Sequence, residues 1–476
     1  MDSLGSFSPP PLLYPSGNYI SSIAKEIKEK HVHRVKKQGS HKEFNTNTIA
    51  TTHGPEKANE NIMEKDNNTA PTWPPLEAHL PLSRQNELLD LYYIHVHPLY
   101  PAIDRNYMQQ QLDKCNNNNN DPSALWPSFF YTVFSMATQY SDSLCHNLAD
   151  YCLHQALSWH QIHKSQSPTI MTVLALTLLA KCLELSKKRY HHVARTWKIA
   201  DEIFQAIQHL GLYSTSTCID DRYDDESDKE RAVRIFWIAH TYDHFLGITT
   251  GRPPAIDESK INIPLPKSLQ TDDESDQLQL EHFLGLIEIS KGAGRIMQLS
   301  PGPAGLCAHS IYAEALLSSC DAWICKELKR LQTATAHRLH ITERRLILYD
   351  LLILLHKPFL EDGEAKEDWN KKCLKTLPHS HRICTDTAIV ITDTICELAL
   401  DDLEYICRKP ECFHALLTAT RIHLLNTSIP DNNAAEMIQG KIHFLHSMAA
   451  YEALAPTSSQ AAGIYSLWHR SMKQSF

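Results

Sequence analysis

The sequence predicts an all-α protein: a single large module of about a dozen or more helices in two packed halves, behind a disordered N-terminal tail. Three observations carry that expectation. Long segments from Leu80 onward repeat apolar residues at three- and four-residue steps, the period of one helix face. Glycine is scarce, at 15 of 476 residues, while Leu, Ile and Ala dominate those segments. The separators are prolines of the kind that end helices: Pro98, Pro101, Pro127, Pro168, Pro301, Pro303, Pro358, Pro410 and Pro430. No repeat of fixed period is evident, which disfavours a regular solenoid.

Along the chain, residues 1–78 come first, with Ser-Pro turns, Asn/Thr/Glu-rich tracts and few aromatics. Such a composition buries too little surface to offset ordering entropy, so the segment reads as disordered. It is partly basic. Lys25, Lys28, Lys30, Arg34, Lys36, Lys37 and Lys42 cluster there, and such a run serves as a nuclear-import or phosphate-contacting arm or as a solvated linker. Helices are then predicted near 84–97, 125–140, 145–163, 168–186, 189–211 and 229–248. The tract 116–120 between the first two is a low-complexity asparagine loop. A second set follows near 278–297, 311–332, 341–355, 380–399, 402–427 and 433–452, with Pro410 marking a kink or break.

Two of these helices hold the most informative stretch. The first carries Trp197, Ile199, Ala200, Ile203, Phe204, Ile207 and Leu210 as one stripe, then Gly211, where a left-handed C′ residue favours glycine. The second presents Val233, Phe236, Trp237, Ala239, His240, Tyr242, Asp243 and Leu246, then meets Gly251 and Pro253-Pro254, which force a turn. An arginine, Arg234 or Arg252, is expected to anchor the loop after Gly251 by hydrogen-bonding carbonyls at a helix end.

At these residues the chain resembles the regulatory middle region of fungal-specific transcription factors, the family of the xylanolytic activator. The resembling pattern is Leu210-Gly211-Leu212, then Arg231, Arg234 and Trp237, then Gly251-Arg252-Pro253-Pro254-Ala255-Ile256 and Pro264-Leu265-Pro266. Upstream, Leu88–Arg105 is similar to the family's opening helix, with Val96-His97-Pro98 and Pro101-Ala102-Ile103-Asp104. Downstream, the run from Tyr349 to Leu360 resembles the helix and His-x-Pro-Phe turn of its C-terminal half. The resemblance implies a regulatory domain core over 79–270 and, over 271–476, the C-terminal helical half of the same module. It also implies transcription regulation in the nucleus, RNA polymerase II genes, and association with DNA.

The family usually reads DNA through six cysteines holding two zinc ions. None of the 13 cysteines here precedes Cys115 or forms a C-x2-C pair. No cofactor is therefore expected, zinc included. DNA contact is expected to be weak or indirect, through a protein partner such as a zinc-cluster relative or the transcription machinery, with a small-molecule effector or protein contact as the signal. The balance of 46 Lys and Arg against 55 Asp and Glu, a net charge of −9, gives no whole-molecule nucleic-acid footprint. Singly scattered cysteines point to a reducing nuclear or cytosolic compartment. No stretch supplies the ~20 apolar residues that span a bilayer; the best, 170–182, is broken by Lys181 and Glu184, and no membrane partner is expected.

Two other function classes have residues that suit them. Asp220, Asp221, Asp224 and Asp225 spell D-D-x-x-D, as do Asp272, Asp273 and Asp276, a pattern that suits an all-α metal-dependent enzyme handling diphosphates. Both occur in polar loops without a basic partner at helical spacing, which favours solvated acidic loops. His160 and His163 lie one turn apart, yet the sequence places no third ligand, and His191-His192 lacks an accompanying His-Asp pair. No G-x-S-x-G, P-loop or strand-to-helix G-x-G-x-x-G occurs. No catalytic residue is assigned and the chain is expected not to be an enzyme; a helical scaffold without a ligand is the remaining alternative.

Overall fold

The structure is a computed structural model that describes residues 80–116, 125–140, 146–163, 167–186, 189–212, 223–269, 272–297, 311–334, 337–360, 377–401, 409–428, 434–455 and 458–474. The basic arm from Lys25 to Lys42, and Asp220 and Asp221, lie outside the described residues. Among the described residues every regular element is helical. The first half contains α1 (Leu82–His95), α2 (Arg105–Asn116), α3 (Trp126–Ala137), α4 (His146–His163), α5 (Ile170–Leu185), α6 (Arg189–His209) and α7 (Glu226–Thr250). The second contains α8 (Glu274–Met297), α9 (Ile311–Gln332), α10 (Arg338–His356), α11 (Leu377–Asp401), α12 (Pro410–Ser428), α13 (Ala434–Leu454) and α14 (Ser459–Gln474). No described helix is long and apolar enough to cross a membrane.

Local chemistry sets most boundaries. Thr169 and Thr172 form a reciprocal capping box at the start of α5. Asp225 accepts from the Ser227 and Asp228 backbone N–H groups at the start of α7. Gly211 adopts φ 66° after α6, and the Leu212 N–H reaches back to Ile207 O at 3.2 Å, a left-handed C-terminal closure. Gly251 closes α7 the same way at φ 71°. Pro410 is the first residue of α12, where a missing N–H costs nothing, so it opens a helix instead of kinking one. Residues 402–408, predicted helical, lie outside the described residues.

Two helices escaped the sequence pattern. In α2 the residues Gln109, Gln110 and Gln111 dilute the apolar stripe to Met108 and Leu112. Helix α14 is the last described, and the buried residues on it are Ala461 and Ile464. Helix α7 departs from amphipathicity in the opposite direction. Nearly every side chain from Glu230 to Ile248 is buried, because neighbours surround the helix. Trp197, counted on the α6 stripe, is instead 42% exposed, since the stripe begins at Ile199.

Among the described residues, three apolar clusters make up the core. One unites α1 to α8 around Phe129, Phe130, Phe134 and Phe236. Another unites α10 to α14 around Phe413, Phe444 and Tyr451. The third joins them: Phe245 and Ile248 of α7 and Ile289 and Ala293 of α8 pack on Leu348, Leu351 and Leu355 of α10, with Ile324 of α9. Helices α7 and α8 thus have one face in the first half and another at the junction, which gives the two packed halves their common spine.

Candidate functional site

Helix α7 organises the residues that the motif resemblance singled out. The chain leaves it at Gly251 and returns along its length as a strap through Pro264 and Pro266 to α8. Four side chains of α7 hold that strap. Asp243 Oδ2 accepts from the Ala255 and Ile256 N–H groups at 2.7 and 2.9 Å, seating the buried Ile256. Trp237 donates its indole N–H to Pro264 O at 2.7 Å. Glu230 accepts from the Lys267 N–H at 2.9 Å. Arg234 donates to Lys267 O at 3.0 Å. The strap lies so close that a Cβ on Gly247 would fall 2.8 Å from Arg252 O, and Arg252 itself reaches Asp201 of α6 at 2.6 Å.

Arg234 also knits in two more segments. It pairs with Glu230 at 2.9 Å and with Asp272 at 2.8 Å, and donates to Pro101 O at 3.4 Å. The buried guanidinium therefore joins the corner after α1, the end of the strap and the start of α8. That differs from the expected helix-end role, because the carbonyls it binds belong to extended chain. The corner holds the other motif residues. His97, in the short turn of a 3-10 helix with Pro98, is buried against Tyr93 and lies 3.2 Å from Gln279 of α8. Asp104 caps α2 through the Tyr107 N–H at 2.8 Å, and Arg231 lies over the Tyr107 ring at 4.0 Å while facing Asp104 and Asp228. Burial pushes His97 down to about 4, so its ring is neutral near pH 7.

At the junction of the halves, the structure opens a cavity of about 50 Å3, lined by Val96, Tyr100, Tyr140, Thr241, Tyr242, Leu246 and Phe283 with Lys181, Glu184, Glu343, Lys409 and Glu411. That is room for several waters or a small ligand. Its polar end is a chain of buried ion pairs. Lys181 of α5 meets Glu411 of α12 at 2.7 Å and Glu184 at 3.4 Å, bolting one half to the other. Lys409 meets Glu343 of α10 at 2.7 Å. Tyr242 donates to Glu184 at 3.4 Å. Burial alone would lower the Lys181 pKa and raise those of Glu411 and Glu343; the opposed charges prevail and keep all three ionised. The buried Thr241 hydroxyl finds no hydrogen-bond partner among the described residues. In the sequence Lys181 and Glu184 stand out only as breaks in an apolar run; two ionisable side chains three apart there are the signal that residue order carries.

The acidic motifs do structural work. Asp272 Oδ2 accepts from the Leu269 N–H at 2.9 Å besides binding Arg234. Asp273 accepts from the Asp276 N–H at 2.8 Å at the α8 N-terminus. Asp225 caps α7, and His160 pairs with Glu202 at 2.7 Å.

Residues 89–304 match the family described as Fungal specific transcription factor domain. That region contains the corner after α1, the strap and its α7 anchors. Over that region the chain is similar to a fungal specific transcription factor domain. Protein STB5 of Saccharomyces cerevisiae is 26% identical over 219 residues, which cover 43% of this chain and 28% of STB5. No solved structure matches.

Proposed function

We propose that this chain is a nuclear transcription regulator of RNA polymerase II genes, whose helical module receives a signal and passes it to transcription through a protein partner. The observation that carries this reading is the family domain with its strap on α7, the helix whose other face lines the cavity between the halves. A ligand seated there would touch Thr241 and Tyr242 and compete for the Lys181–Glu411 pair, so occupancy would change how the halves press on each other. The signal under this proposal is a small molecule with an apolar body and one polar end. Association with DNA would run through a partner such as a zinc-cluster relative, and no catalytic chemistry is assigned.

The test is a reporter assay with the full chain tethered to an unrelated DNA-binding domain. The expected result is a change in transcription that Leu246→Trp, which fills the cavity, freezes in one state. A tethered chain that leaves the reporter unchanged under every growth condition would refute the regulatory reading. Normal signal response in Leu246→Trp would refute the cavity's part in it.

A further inference from the structure

His240 and His244 lie one turn apart on α7, on the face that the strap crosses at Glu258. His244 Nδ1 is 2.9 Å from His240 O, so that nitrogen carries the hydrogen and Nε2 carries the lone pair. Ser290 of α8 donates to Ile287 O at 2.7 Å, which leaves its oxygen to accept from His240 Nδ1 at 3.2 Å. The second lone pair is therefore also on Nε2. The Glu258 Oε1 atom faces both, 3.7 Å from His240 and 3.9 Å from His244, and the three atoms lie within 4.8 Å of one another. His240 Nε2 and Glu258 Oε1 are buried and have no hydrogen-bond partner among the described residues. Burial raises the Glu258 carboxyl pKa, and with that group ionised three acceptors converge with no proton between them. Burial pushes His240 down to about 3 and His244 to about 4, which keeps both rings neutral.

We propose that His240, His244 and Glu258 bind one first-row divalent cation, zinc by their ligand chemistry, and so fasten the strap to α7. Two imidazoles and a carboxylate suit zinc, whereas magnesium and calcium take oxygen ligands. Each imidazole has its second nitrogen on an oxygen acceptor, the support that zinc-bound histidines use. Bond lengths near 2.0–2.1 Å put ligand atoms about 3.3 Å apart, so Glu258 closes by about half an ångström. The space is kept by Gly294: a Cβ there would lie 2.9 Å from His244 Nε2 and 3.6 Å from Glu258 Oε1. Neighbouring cations are otherwise engaged, Lys291 with Glu288 and the Trp237 ring, Arg295 with the Trp323 ring. With three protein ligands, the fourth position takes water or an incoming donor. The cation state would then set the conformation of the strap, a regulatory input independent of the cavity.

The test uses full-length protein stripped with a chelator, then titrated with Zn2+ against a chromophoric indicator and with Co2+ by visible absorption. The wild type is expected to bind one zinc per chain, to melt at a higher temperature with zinc, and to give Co2+ the intense bands of a four-coordinate site. Glu258→Gln replaces the carboxylate ligand at the first residue of a 3-10 turn and should weaken zinc by at least about 100-fold, the upper range for losing an outer-shell partner. Gly294→Ala keeps all three ligands but sets a Cβ against His244 Nε2, and should also abolish the cobalt bands. Asp393→Ala, at the cluster with His443 and His446, should change nothing. Wild-type protein that retains no zinc and shows no cobalt bands would overturn the proposal, as would zinc binding that survives Glu258→Gln and Gly294→Ala or is lost only in Asp393→Ala.

Discussion

Replacing Arg234 with methionine keeps much of the side-chain volume and removes the charge at the meeting point of three segments. Four contacts vanish: Glu230 at 2.9 Å, Asp272 at 2.8 Å, Lys267 O at 3.0 Å and Pro101 O at 3.4 Å. The carboxylates stay behind with side chains only 2% and 9% exposed. Removing one side of a buried ion pair costs about 3–5 kcal/mol, because the orphaned charge remains in a poor solvent. Here each carboxylate keeps one backbone donor, Lys267 N–H on Glu230 and Leu269 N–H on Asp272, both at 2.9 Å. The loss is therefore placed at the lower end, about 3 kcal/mol. A unit of ~150–250 residues loses about 2–4 °C per kcal/mol, so Tm should fall by roughly 6–12 °C. Urea denaturation followed by circular dichroism and by tryptophan fluorescence measures the change. Adding Glu230→Gln and Asp272→Asn, which neutralises the orphans, should recover more than half of the loss. A single Arg234→Met that costs under about 1 kcal/mol, or neutralising changes that only add further loss, would refute the clamp.

Gly247→Ala should destabilise by about 1–3 kcal/mol in the same assay, despite the ~1 kcal/mol gain in helix propensity, because its Cβ meets the Arg252 carbonyl at 2.8 Å. Stability should fall as the medium is acidified below pH 6.5: burial holds His97 at about 4 and His423 at about 3, so the unfolded chain takes up protons first. The stability is complete above ~6.5 and is lost toward the folded values, about 2 kcal/mol per histidine by pH 5, and His423→Gln should flatten the fall of Tm with pH. Lys409→Met should cost about 3–5 kcal/mol at pH 7 by removing the cation from the buried Glu343, with the deficit shrinking below ~4.5, where the wild type loses the ion pair's contribution and protonation relieves the variant's carboxylate. In gel shifts the purified chain should bind DNA weakly, without sequence preference and steeply less with salt, and deletion of residues 1–45 should abolish binding; selection of one sequence from a random pool at physiological salt would contradict it.

Helix content and most helix limits were legible from residue order alone, because caps, prolines and apolar periodicity act within a few residues. Gly211 could be placed at a left-handed helix end because such ends select against a Cβ, whereas Gly251 could be placed only at a turn. The motif from Leu88 to Pro266 could be recognised, yet the partners of Arg234 could not. Pro101 and Asp272 lie 133 and 38 residues from it in sequence, and only the folded path of the strap puts them on one guanidinium. The same holds for Lys181 and Glu411, which are 230 residues apart. Periodicity located α7 but could not tell its core face from the rest, because a helix enclosed on all sides has no polar face to set a phase. The His240, His244 and Glu258 cluster was hidden for a further reason. A search for ligands by close spacing sees the histidine pair on α7 but not the glutamate, whose approach depends on the turn at Gly251. Local sequence thus determined what forms at short range, and tertiary packing decided which charges meet, since buried charges are held by partners that the chain brings from far away.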